Sequence, residues 1–211
     1  TDQFSKVMNY NYGYVSHSFN QFIAIDGDTI LAVNHGDAHP RSVVLIRYDT
    51  KAGKDTFTMA YPFCSLVNVL PITGYNGYND TGVSVGGFAF SDSSYLVTGN
   101  SILQDGTVAF DGQRNIFLTV TDKNSFSDAG TELKWLTDYK DCDGVDVSNP
   151  QLAKLNGDLF LIMWTEDGAF TYEFVDGKGN LVGEKMTKDM AVSDCVPIVY
   201  NDRVVWYVTS G

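Results

Sequence analysis

At 211 residues the chain is long enough for one domain with a real core, and its 14 basic against 26 acidic residues leave a net charge of -12. That balance opposes binding to phosphate backbones and anionic membrane surfaces, which excludes nucleic acid as a partner. Aromatic residues make up 13% of the chain, glycines number twenty, and long Ala-, Leu- or Glu-rich stretches are missing, so the composition is all-β.

Residues 1–15 lack the basic start, apolar stretch and small-residue cleavage site of a secretion signal. Within them Lys6–Val15 alternates well enough for one strand. Ser18 then opens a phrase that the chain writes four times: SFNQFIAIDG from Ser18, SVGGFAFSDS from Ser84, SNPQLAKLNG from Ser148 and SDCVPIVYND from Ser193. An Asp or Asn follows each serine by eight residues (Asp26, Asp92, Asn156, Asn201), and an apolar run comes next. A strand, a tight Asx-type turn and a second strand is the economical reading of each copy.

In the first unit, Gln21–Ile25 and Thr29–Val33 flank the turn Asp26-Gly-Asp28, and Arg41–Tyr48 and Thr56–Tyr61 read as two further strands. The second unit repeats the scheme with Gly87–Phe90, Tyr95–Thr98, Asn115–Thr121 and Glu132–Leu136. The third does so with Gln151–Leu155, Leu159–Thr165, Phe170–Val175 and Val182–Met186, the last pair joined by Gly177-Lys-Gly-Asn180. The fourth holds only Val196–Tyr200 and Val204–Thr209. No run approaches the roughly 20 apolar residues of a membrane-spanning helix, so membrane insertion is not expected.

Repeated four-stranded antiparallel meanders are the unit of a β-propeller, in which each sheet buries its faces against its neighbours. The expected fold is therefore all-β: a propeller of three full units and a partial fourth, with a β-sandwich as the alternative. The units run over about 16–82, 83–146, 147–191 and 192–211, the last completed either by 4–15 or by upstream chain of a larger propeller. In such a register the loops entering each first strand share a face with the loops joining second to third strands. That face collects His17, His35, Asp37, His39, Arg41, Asn100, Glu166, Asp167 and Asp194, including all three histidines, as candidate ligand-binding residues.

His35, Asp37 and His39 alternate, and imidazole with carboxylate is a sensible zinc set. H-x-D-x-H nevertheless matches no established zinc motif, and Asn, Gly, Asp and Pro are also what a tight loop needs. Asp141 and Asp143 suggest calcium but lack the D-x-[DN]-x-[DN]-G spacing and distal glutamate. An acidic solvated loop accounts for them, and no cofactor is expected. Asp37, Glu166, Asp167 and Asp194 keep a glycosidase in view, though no spacing singles out an acid and base pair. Tyr75, Tyr78 and Tyr139 offer aromatic faces for a ligand. Three cysteines, Cys64, Cys142 and Cys195, are too few for a disulfide scaffold, with Cys142 and Cys195 in comparable loops where they could pair.

The stretch VSHSFNQFIAIDGDTILAVNHGDAHPRSVVLIRY, with the later V-S and N-G-D returns, resembles propeller-like repeat regions of large secreted or surface proteins of Gram-positive anaerobic bacteria. That resemblance implies an extracellular or cell-surface location and further blades or domains in the same polypeptide. The function expected is a non-enzymatic binding or adhesion module recognising glycan or protein through the histidine-bearing face. The propeller of a carbohydrate-active enzyme and a structural scaffold are the alternatives.

Overall fold

The computed structural model describes residues 19–36, 42–49, 64–71, 83–102, 112–141, 143–190 and 193–207. These form three four-stranded antiparallel sheets and one two-stranded sheet, each built from strands consecutive in sequence. The first comprises β1 (Phe19–Asp26), β2 (Thr29–Gly36), β3 (Ser42–Asp49) and β4 (Cys64–Pro71). The second comprises β5 (Val83–Phe90), β6 (Ser94–Ile102), β7 (Arg114–Asp122) and β8 (Thr131–Trp135). The third comprises β9 (Val147–Lys154), β10 (Leu159–Glu166), β11 (Ala169–Asp176) and β12 (Met186–Lys188), and the fourth pairs β13 (Ile198–Tyr200) with β14 (Arg203–Val205). The helical content described is one 3-10 turn, Asp128–Gly130, capped by Ser127. No helix among the described residues is long and apolar enough to cross a membrane.

All four Asx phrases fold into first hairpins, each by its own local chemistry. Asp26 pairs with Thr29 across Gly27-Asp28, with Gly27 at φ 59°. In the second copy a serine does the work, Ser91 Oγ accepting from the Ser94 N–H at 2.9 Å. Gly157 takes φ 64° in the third. Asn201 and Asp202 sit at φ 47° and 59° in the fourth, the left-handed pair that a two-residue type I′ turn requires.

Burial between sheets explains why the unit repeats. One face of the first sheet, including Leu31, Val33, Val43, Leu45 and Val67, packs on Val83, Val85, Tyr95, Val97 and Phe117 of the second. The second sheet's other face, with Leu96, Ile116 and Leu118, packs on Leu152, Phe160, Ile162, Trp164 and Val175 of the third. The third sheet's far side, with Leu161, Met163 and Phe170, receives Val204 and Trp206. Each fully buried Leu, Ile or Phe contributes on the order of 1.5–3 kcal/mol, a term that a lone sheet with no partner could not recover.

The first strands of neighbouring sheets lie side by side, β1 by β5 and β5 by β9, with β13 against β9. Glycine makes the closest approach possible. A Cβ on Gly86 would stand 1.8 Å from the Pro150 carbonyl oxygen, and one on Gly87 2.4 Å from Leu152 Cβ. Pro150 is tolerated because β9 is an edge strand paired only with β10. No comparable packing joins the first sheet to the fourth among the described residues. Polar ties reinforce the first interface: Lys123 Nζ lies 2.5 Å from Asp26, which also accepts from Tyr95 Oη at 3.3 Å.

Several strands differ from expectation. Thr56–Tyr61 lies outside the described residues, and the first sheet takes its fourth strand from Cys64–Pro71. Val67 and Val69 of this strand are buried against the second sheet. The outer strand expected at Val182–Met186 is shorter and later, Met186–Lys188, with Leu181 making a lone bridge to Val175. Residues 181–190 are all exposed, so no burial extends the pairing. Cys195 is an exposed thiol, and Cys142, with which it could pair, lies outside the described residues.

Candidate functional site

The first strands of the first three sheets share an irregularity. Register shifts by one residue between Phe19 and Phe22 in β1, between Val85 and Gly87 in β5, and across Asn149-Pro150 in β9, where Ser148 faces Thr165 but Gln151 faces Met163. These are β-bulges, which bend a strand and re-aim side chains, and they recur beside binding sites. Asn149 adopts φ 51° within its bulge, a strained setting for a non-glycine residue. All three follow the phrase serines Ser18, Ser84 and Ser148 within a few residues, so the phrase that precedes each hairpin also carries the bulge.

The bulges open on one cavity of about 470 Å³, lined by Phe22 from β1, Ser84–Gly86 from β5, Asn100 and Arg114 from β6 and β7, Asp146–Gln151 from β9 and its approach, and Asp194 and Val196 ahead of β13. Three sheets and the segment leading into the fourth thus contribute to it. A second depression of about 450 Å³ continues from it along Arg114, Asp146 and Val147 to Gln113 and Asp141. The volume of the first lies within the usual range for small-molecule sites.

Its walls are held by side-chain amides. Asn100, buried, donates from Nδ2 to the Val147 carbonyl at 2.8 Å and accepts on Oδ1 from Arg114 Nη1 at 3.4 Å. Asn149 Nδ2 donates to the Ser193 carbonyl at 2.7 Å, and Gln151 Nε2 donates to the same oxygen. These bonds tie the approach of the fourth sheet to the third. Asp146 accepts on Oδ2 from Ser148 Oγ at 3.4 Å, and its backbone N–H donates to Asp167 Oδ1 at 2.8 Å.

Of the residues expected to form a binding face, Asn100 and Asp194 line this cavity. Asp167 buttresses it through Asp146 from the β10–β11 turn. His35 is buried on β2, opposite Phe19 and Val43 in the ladder. His17, Asp37, His39, Arg41, Tyr75 and Tyr78 lie outside the described residues. Asp141 accepts on Oδ1 from the Gln113 N–H at 2.8 Å and Asp143 on Oδ2 from the Lys140 N–H at 2.7 Å, both serving their own loops. Among the described residues no three His, Cys, Asp or Glu side chains converge as metal ligands. The loop to Arg114 and the stretch 139–150 with Asp146 fall on the expected face, but Arg114, Asp146 and Gln151 were not singled out as site residues.

Glu166 and Tyr139 belong to a separate polar cluster between the second and third sheets. Lys185 Nζ lies 3.1 Å from both Glu166 Oε1 and Tyr139 Oη, and the Trp164 indole N–H donates to Glu166 Oε2 at 3.0 Å. Burial pushes the Glu166 carboxyl up, but hydrogen bonds from Trp164, Lys185 and Tyr139 outweigh it and hold the group below its ordinary value. Glu173 is its counterpart. It is 7% exposed, its Oε2 has no hydrogen-bond partner, and burial raises its pKa, with Lys185 opposing and Glu166 adding to the rise.

No protein-family model, curated protein sequence or solved structure matches the chain. Its function is therefore argued from the chemistry of the cavity.

Proposed function

We propose that the chain is a β-propeller-type module, acting as a non-enzymatic extracellular binding or adhesion domain whose ligand, glycan or protein, occupies the cavity at the bulged ends of β1, β5 and β9. The observation that carries this reading is the convergence of residues from three sheets and the segment leading into the fourth on one concave polar site, with bulges in three first strands beside it. Planar amide, carboxylate and guanidinium groups over a single aromatic wall, Phe22, suit the hydroxyls and apolar ring faces of a saccharide, which favours glycan over protein. The extracellular location rests on the resemblance to surface-protein repeats, and the acidic surface is in keeping with a ligand other than nucleic acid.

A hydrolytic role draws less support. Glu166 is engaged by Lys185 and Trp164, and it lines neither cavity. A glycan array probed with the intact chain tests the proposal: retention of a saccharide without turnover, weakened by Gln151→Ala or Asp194→Ala, is the expected result. Release of reducing ends, lost in Glu166→Ala or Asp37→Ala, would establish the carbohydrate-active-enzyme reading instead. No retention of any saccharide or protein ligand would leave a structural scaffold.

A further inference from the structure

The described cavity contains one cation. Arg114 stands at the start of β7 and lines both depressions, and among the described residues the one hydrogen bond its guanidinium makes is the long one, 3.4 Å, to the neutral Asn100 amide. No carboxylate among the described residues lies within ion-pair distance of it, although Asp146 and Asp194 line the same cavity. A guanidinium is a rigid fork with five N–H donors, and half-burying it with most of those donors unused leaves a desolvation cost that a ligand can offset. The group that matches the fork in shape and charge is a carboxylate, bound by two parallel N–H···O bonds.

The rest of the lining limits what carries that carboxylate. Asp146 and Asp194 are exposed at the rim and accept only long contacts from Ser148 Oγ and Cys195 Sγ, so both oxygen pairs remain open to hydroxyl donors. They also repel anions, and the repulsion grows with ligand charge. A doubly charged phosphate is therefore disfavoured against a single carboxylate. We infer that the cavity recognises a saccharide bearing a carboxylate, a uronic-acid-type sugar, with Arg114 holding the carboxylate and Asp146 and Asp194 receiving ring hydroxyls. This rests on the binding reading above and names its ligand class.

The test uses the full chain, a uronic-acid disaccharide and its methyl ester, which keeps the shape and removes the charge. Calorimetric titration of the wild type is expected to favour the acid by about tenfold, the difference between a charged and a neutral hydrogen-bonded pair. Arg114→Gln should bind acid and ester alike, and Arg114→Lys should keep part of the preference, since a point charge lacks the fork. Near-ultraviolet circular dichroism of each variant verifies the fold. Equal binding of acid and ester by the wild type overturns the inference while leaving the binding site standing, as does a preference that survives Arg114→Gln. Binding of neither overturns it as well, and a glycan array negative alongside removes the binding reading too.

Discussion

Replacing Gly87 by alanine tests the close stacking on which the cavity depends. Gly87 has no positive φ, so alanine meets no backbone penalty there and the effect is purely steric. The added Cβ would stand 2.4 Å from Leu152 Cβ, 2.6 Å from Leu152 N and 3.0 Å from Leu152 Cα. Carbon atoms rest at about 3.5–4.0 Å, so β5 and β9 must part by roughly 1 Å. That movement loosens the layer in which Leu96, Ile116, Leu152 and Trp164 are buried. Overpacking costs typically about 1–3 kcal/mol, and two backbones in contact place this case near the upper end. For a chain of this size that is a fall in Tm of about 6–12 °C. Urea unfolding followed by tryptophan fluorescence measures it, because Trp164 lies in the affected layer. Gly112→Ala, whose Cβ would meet nothing nearer than 3.4 Å, serves as control. Gly87→Ala within about 0.5 kcal/mol of wild type would refute the tight packing of β5 on β9.

Three further outcomes follow from the polar groups. Glu173 titrates above the ordinary carboxylate value of 4.5, so its neutral form favours the fold. Its contribution is full below that value and is lost as pH rises through the folded-state pKa. The stability of wild type relative to Glu173→Gln should fall with rising pH over that window, read from unfolding curves at successive pH values; a constant difference refutes it. Glu166→Ala leaves the buried Trp164 N–H without its acceptor and should cost about 1–3 kcal/mol in chemical denaturation, more than an exposed ion pair would. Asp26→Asn removes a charge that, after burial, raises the Tyr95 pKa, so the phenol should titrate at lower pH in an absorbance titration.

The repeated hairpin was legible because short turns need particular residues: Gly27 and the Asn201-Asp202 pair supply positive φ in two-residue turns, and Gly157 does so in a three-residue one. Outer strands were less so. Cys64–Pro71 (CSLVNVLP) does not alternate cleanly, and its place in the sheet goes with the burial of Val67 and Val69 against the second sheet, a contact far away in sequence. The exposed run 181–190 has no apolar partner and so keeps a short strand where a longer one was expected. The cavity was partly readable: the register places Asn100 and Asp194 on a common face. Gln151 was not singled out because its role comes from the bulge in β9 and from β5 lying on β9, neither of which leaves a spacing in the chain.

The central claim is that the bulged ends of the first strands form one ligand site. Amide chemical-shift mapping of the intact chain, titrated with a saccharide retained on the array, addresses it directly. Shifts centred on Ser84–Gly86, Asn100, Arg114 and Ser148–Gln151 are predicted. Shifts centred on the Glu166, Lys185 and Tyr139 cluster, with the cavity residues unmoved, would contradict it.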